Sequence, residues 1–361
     1  MASDDTTLRM LQAYIEDATS PMFLSGYFQS PPENFHTSEK VEIDIERDDR
    51  EVAIVIQDMT VGRRQNESSL YTNKEFIPPI YDEEGVITAY DLIKRVAGED
   101  PYMQPNFQSN ATVRAFKLMR KLERKVRRAI ELQASQVLQS ATLDLKDDAG
   151  TTLYALDYKP KATHFPTTGA TWATPATSVP FDDLESLADV ILTDGKAEAE
   201  NVIMGRTALL NFQKSTQVQT IADNRRFELT NIQAPESRGA GGKFHGICSV
   251  GQYRLNVWSY TGRYKDPQTG NTLPYIEDDK VIMLAPGRLD LSFGAIPLLR
   301  GPEQRALPFL PPRVSDGGVG VDLTTNAWFT PDGRHLMVSA GTRPLCIPTA
   351  IDTFGCLDTV P

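Results

Sequence analysis

The residues of this chain that could do chemistry are few, and their spacing does not suit the chemistry. The segment RGAGGKF (238–244) has the glycines of a phosphate-cradling loop. Such a loop turns successive backbone N–H groups toward a phosphate, and needs a Gly six residues before its Lys and a Ser or Thr just after it. Ser237 and Phe244 occupy those two positions, so a plain flexible loop is expected and nucleotide binding is not. The four histidines, His36, His164, His245 and His335, are scattered, and neither a G-x-S-x-G elbow nor an H-E-x-x-H pair occurs. His335, Cys346 and Cys356 could share a metal in principle, but they lack the close ligand pairs typical of zinc sites. Carboxylate pairs such as Asp48-Asp49 and Glu83-Glu84 sit in polar stretches, where solvated turns are the expectation. No catalytic residue, cofactor or metal is therefore expected. Three dispersed cysteines predict reduced thiols in a cytoplasmic product, with no disulfide.

The elements that would hold such residues point to contact surfaces. The chain has 361 residues, 40% of them hydrophobic, enough for one large or two ordinary domains. No apolar run approaches the roughly 20 residues needed to cross a bilayer. Asp4 and Asp5 stand where a secretion signal would be basic. The net charge of -11 argues against a chain that grips nucleic acid along its whole surface. Its distribution is uneven. Residues 1–110 carry 9 Lys and Arg against 21 Asp and Glu, whereas residues 111–140 carry 8 against 2.

Apolar residues at 3–4 spacing predict a short amphipathic helix over 6–18. Period-two alternation from Val41 to Glu46 predicts a strand, EVAIVIQ (51–57) predicts a second, and 62–75 has no periodicity. Residues 38–92 therefore read as a long hairpin arm with an irregular tip, either a loose loop or a reach toward a neighbour. The strongest helical signal covers 111–141, with Val113, Phe116, Met119, Leu122, Val126, Ile130 and Val137 on one stripe. The other face carries Arg114, Lys117, Arg120, Lys121, Arg124, Lys125, Arg127 and Arg128. A solvated face is the ordinary reading of such a stripe. Eight basic residues against two acids also leave repulsion that an acidic partner surface would relieve.

After a Thr/Ala/Pro-rich linker a compact unit opens at Phe181. It has predicted helices over 182–194 and 207–215, and strands at 201–205, 253–259, 281–285, 289–293 and 334–339. Residues 343–360 read as extended and apolar, suited to returning into an earlier sheet. The class is α+β.

The order of these features resembles the major capsid proteins of phage lambda and its relatives, which share the Hong Kong 97-like fold. The resemblance rests on SPMFLSGYF (20–28), FHTSEKVEIDI (35–45), FIPPIY (76–81), LIKRVAGEDPY (92–102) and the basic helix. It continues through NVIMGRTALLNFQ (201–213), YTGRYKDPQTGNTLPYIEDDKVIML (260–284) and RPLCIPTAIDTF (343–354). It implies an N-terminal arm (1–37), an E-loop (38–92) and a P domain (93–180, with spine helix 111–141) completed by 341–361. Residues 181–340 would be the A domain.

It also implies a major capsid protein that self-assembles as hexamers and pentamers into an icosahedral shell around packaged dsDNA. Assembly would take place in the host bacterial cytoplasm, with the product a virion component. The implied partners are a scaffolding protein, a portal protein, a decoration protein and, non-specifically at the inner surface, DNA. Because the arm-like motif begins at Ser20, a separately encoded scaffold is expected. Rival readings are a tail tube or portal subunit and, more remotely, a soluble hydrolase. The expected contact residues are Arg63, Arg64 and Lys74 at the arm tip, with Arg114, Arg120, Arg124, Lys125 and Arg128 on the helix. Candidate carboxylates from a neighbour are Glu42, Asp44, Glu46, Asp48 and Asp49. Alternatively the basic face looks inward, toward scaffold acids and DNA phosphate.

Overall fold

The computed structural model describes residues 22–36, 38, 40–46, 71–93, 107–146, 150–222, 230–237, 241–296 and 322–360. Strand β1 (Val41–Glu46) pairs antiparallel with β2 (Tyr71–Phe76), Val41 opposite Phe76 and Glu46 opposite Tyr71. The strand at β1 follows the predicted alternation. Residues 71–75, expected to be irregular, are paired in β2, because a partner ladder can order polar residues that show no periodicity of their own. The expected helix over 6–18 and strand over 51–57 lie outside the described residues.

Strand β3 (Tyr81–Thr88) leads through helix α1 (Ala89–Ile93) toward the long helix α2 (Phe107–Ser140). At 1.5 Å per residue α2 is about 50 Å long. It begins four residues before the predicted start. Its buried face runs through Ala111, Ala115, Leu122, Val126, Ile130, Ala134 and Val137. Phe116, expected on that stripe, is 37% exposed. A Cβ at Gly85 of β3 would stand 2.7 Å from the Leu118 side chain, so helix and strand are closely packed there. Strands β4 (Thr142–Lys146) and β5 (Thr152–Asp157) form an antiparallel hairpin after α2.

The second half opens with helix α3 (Pro180–Gly195), strand β6 (Asn201–Met204), and helices α4 (Arg206–Lys214) and α5 (Thr216–Ala222). Strands β7 (Thr230–Ser237), β8 (Gly242–Val250) and β9 (Tyr253–Tyr260) follow, then the small hairpin of β10 (Arg263–Lys265) and β11 (Thr272–Pro274). Next come β12 (Lys280–Leu284), β13 (Leu289–Phe293), β14 (Thr324–Phe329), β15 (His335–Thr342), β16 (Pro344–Pro348) and β17 (Phe354–Asp358). The predicted strand over 289–293 coincides with β13.

A six-stranded sheet in the order β17-β12-β6-β9-β8-β7 divides two cores. Side chains alternate across it, as pleating requires. Val202, Met204, Val281, Met283 and Leu357 face the core under α3 and α4, while Ile203, Ile282, Leu284 and Cys356 face the core around α2. Burial on both faces explains why NVIM and KVIML are uniformly apolar. A second sheet, β14-β15-β3, covers α2 with Ile87, Leu336, Val338 and Ala340. Strand β15 spans residue 340, the expected boundary between A and P domains, and packs with β3 and β14 on the long helix.

Candidate assembly surfaces

The long helix is the element on which the expected contact residues converge. Arg120, Lys121, Lys125 and Arg128 are exposed, while Arg114, Lys117, Arg124 and Arg127 are half-buried. Two of the eight tie the helix to the sheet beside it. Lys125 Nζ lies 2.9 Å from Glu83 Oε2 of β3, with both side chains close to half exposed. Arg127 makes a bidentate pair with Asp322, just before β14. That contact holds the Arg127 pKa above its ordinary value, against burial, which acts in the opposite sense. Lys125, expected to reach a neighbouring subunit, thus has a carboxylate within its own chain.

At the arm, β1 places Glu42 opposite Glu75, Asp44 opposite Asn73 and Ile43 opposite Lys74. Asp48, Asp49, Arg63 and Arg64 lie outside the described residues. The structure therefore brings Lys74 to the same two-stranded ribbon as Glu42 and Asp44.

Three buried polar residues that sequence reasoning passed over fix these parts together. Arg343, 5% exposed, donates from Nε to the Pro78 carbonyl at 3.0 Å and from Nη1 to the Ala295 carbonyl at 3.2 Å. It thereby holds the segment before β3 against the residues that follow β13. Glu131, 0% exposed on α2, receives two backbone N–H groups from residues 24 and 25. His164, also 0% exposed, lies with Nδ1 3.0 Å from the Phe354 carbonyl oxygen and Nε2 3.4 Å from Asp194 Oδ2. Only one signal was available for these: a charged residue inside an otherwise apolar pattern, as with Arg343 ahead of PLCI.

The outer face of the β14-β15-β3 sheet carries apolar side chains that are partly exposed. Val86, Met337 and Trp328 stand directly opposite one another across its three strands. Val86 is 51% exposed, and Met337 and Trp328 are half-buried.

Catalytic arrangements fare worse. His245 Nε2 lies 2.7 Å from Ser259 Oγ, a nucleophile-and-base spacing. Both residues are buried in the sheet at 7% exposure, and no carboxylate hydrogen-bonds His245 among the described residues. Burial, and then the Lys243 charge, depress the His245 pKa. The RGAGGKF segment runs into β8, with Gly242 already in the strand. His335, Cys346 and Cys356 belong to three different sheets, and no three His, Cys, Asp or Glu side chains cluster for a metal among the described residues. The three thiols are reduced and buried, and burial pushes the Cys356 thiol up to about 12.

The pattern that defines the phage major capsid protein E family matches residues 7–354. The chain belongs to that family. It is a major capsid protein of the tailed-phage type, a structural component of the virion, and its family builds self-assembling shells. Among solved structures, a protein described as a prophage capsid protein of E. coli CFT073 is 18% identical with a TM-score of 0.57. The match covers 80% of this chain and 79% of that one. A phage-related protein from Bordetella bronchiseptica RB50 is 11% identical with a TM-score of 0.50, over 99% of this chain and 96% of that one. The fold is Hong Kong 97-like. A comparison with curated proteins finds no match. No described helix of this capsid protein is long and apolar enough to cross a membrane.

Proposed function

We propose that copies of this chain form hexamers and pentamers that close into an icosahedral shell around dsDNA, after assembly on a separate scaffolding protein in the host bacterial cytoplasm. A portal protein occupies one vertex and a decoration protein reinforces the outside. The chain itself has no enzymatic role. The observation that carries the reading is the partly exposed row Val86–Met337–Trp328, on a sheet whose opposite face is packed on α2. In a shell the E-loop of one subunit crosses this part of the next, which covers apolar area that an isolated chain leaves wet. Heterologous contacts of this sort close only when curvature is controlled, which is the scaffold's task.

Charge works alongside burial. The acidic first third, with Glu42, Asp44, Glu46, Asp48 and Asp49, meets Arg114, Arg120, Arg124 and Arg128 of the adjacent helix. Arg63, Arg64 and Lys74 make the reciprocal contact at the loop tip. The test is negative-stain microscopy of the chain expressed with and without its scaffold, alongside Met337→Glu. Rings and closed shells are expected for the native chain. Dispersed particles are expected for the variant, at unchanged helicity. Native chains that remain monomeric with scaffold, or Met337→Glu shells of normal yield, would overturn the reading.

A further inference from the structure

The described arm begins with a 3-10 turn, Ser25–Tyr27. The Leu24 N–H donates to Glu131 Oε1 at 2.8 Å and the Ser25 N–H to Glu131 Oε2 at 2.9 Å. Each oxygen of one fully buried carboxyl group is thus engaged by the arm. Burying such a group without donors is costly, and hydrogen bonds to a charged acceptor are among the stronger ones. Two buried hydroxyls, Ser25 Oγ and Tyr275 Oη, have no hydrogen-bond partner among the described residues. Burial, and next to it the Glu131 charge, push the Tyr260 and Tyr275 pKa values upward, which puts the two phenols beside the same carboxyl group. Phe23 completes the docking, stacked on Tyr260 at 5.3 Å. A Cβ at Gly242 would stand 2.4 Å from the Phe23 ring.

The arm then runs on through attachments that do not involve Glu131. The Gln29 N–H donates to the Leu289 carbonyl at 2.8 Å, and Phe35 stacks on Phe293 at 5.0 Å. We propose that Glu131 is the positioning residue that docks residues 22–28 on the long helix, its carboxyl holding the turn whose Phe23, Leu24 and Phe28 side chains pack on the body, so that this stretch attaches or detaches without unfolding the body. The proposal concerns the folded chain alone and stands apart from the shell contacts above.

Hydrogen exchange read by mass spectrometry on the purified full chain tests it, comparing native protein, Glu131→Gln and Ser25→Ala. In Glu131→Gln an NH2 group replaces one acceptor, so amides of 22–28 are expected to exchange at least about tenfold faster. Residues 29–36 and strands β6 and β12 should keep their protection. Ser25→Ala retains both backbone donors and should match the native chain. Native protection at 22–28 in Glu131→Gln would overturn the proposal. So would equal loss across the central sheet, or failure of the variant to fold, since docking would then be inseparable from the body. In the native chain, Leu24 and Ser25 amides exchanging as fast as an unstructured peptide would also overturn it.

Discussion

Gly205 shows how little room single residues have where β6 turns into α4. A Cβ there would stand 2.3 Å from the Glu277 carbonyl oxygen and 2.5 Å from that of Asp278. Both are backbone atoms, so rotating a side chain gives no relief. Gly205→Ala should therefore cost about 2–3 kcal/mol, at the upper end of ordinary overpacking. Chemical denaturation should show the midpoint falling with an unchanged slope. Gly85→Ala meets only the flexible end of Leu118 and should cost less. An equal loss for the two would contradict this account.

At the scale of elements, the ion pairs of α2 differ in worth because their exposure differs. Lys125 and Glu83 are 49% and 41% exposed, so Lys125→Ala should cost under about 1 kcal/mol and still less in high salt. Arg127 is 18% exposed and bidentate with Asp322, so Arg127→Ala should cost more, about 1–2 kcal/mol. Urea unfolding at two salt concentrations separates the two. Where α3 meets the hairpin side, the Lys161 ammonium 2.8 Å from Asp194, with His164 behind it, holds the Asp194 carboxyl below its usual value. A depressed folded pKa means the stabilisation is complete above the unfolded value near 4 and is lost as pH falls through the folded one. Asp194→Asn should thus be less stable than the native chain at pH 7, and the gap should close below about pH 4. A gap that widens in acid would reverse the sign of the argument.

Legibility in the sequence followed local physics. The alternating pattern of β1 and the long basic helix were readable because period alone determines them. Which side of α2 is buried was not, since Ala111 and Ala115 are buried while Phe116 is exposed, a fact of tertiary packing. Phe116 looked like core for the same reason. Glu131 read as one acid among basic neighbours because its donors lie 106 and 107 residues away. Arg127 looked like any other residue of the basic stripe until Asp322 supplied its geometry. The contact character of the molecule was legible from the absence of chemistry, whereas the partly exposed Val86–Met337–Trp328 row needed strand register.

For the whole molecule, the asymmetry between an acidic first third and a basic helix makes a test of its own. Arg124→Glu with Arg128→Glu should impair capsomer and procapsid formation if these residues meet a neighbour's acids. The defect should deepen less at high salt, where screening already weakens the native contact. Normal shells with defective scaffold retention or DNA packaging would instead place the basic face inward.

The pairing of β3 with β15 carries a kinetic consequence. His335 lies opposite Thr88 and Thr342 opposite Tyr81, so about 250 residues of chain must be looped before the first ladder bond forms. Arg343 to Pro78 and Tyr158 to Cys346 repeat the pattern, with separations of 265 and 188 residues. Closure entropy is lost before any of these contacts can compensate, which makes the search slow. While it lasts, the unpaired edge of β3 and the apolar face of α2 stand open to other chains. Refolding from urea should therefore be slow and independent of concentration in dilute solution, yet give way to aggregation as concentration rises. In a molecule that works by binding copies of itself, monomer folding and self-association compete for the same surfaces, and folding must finish first.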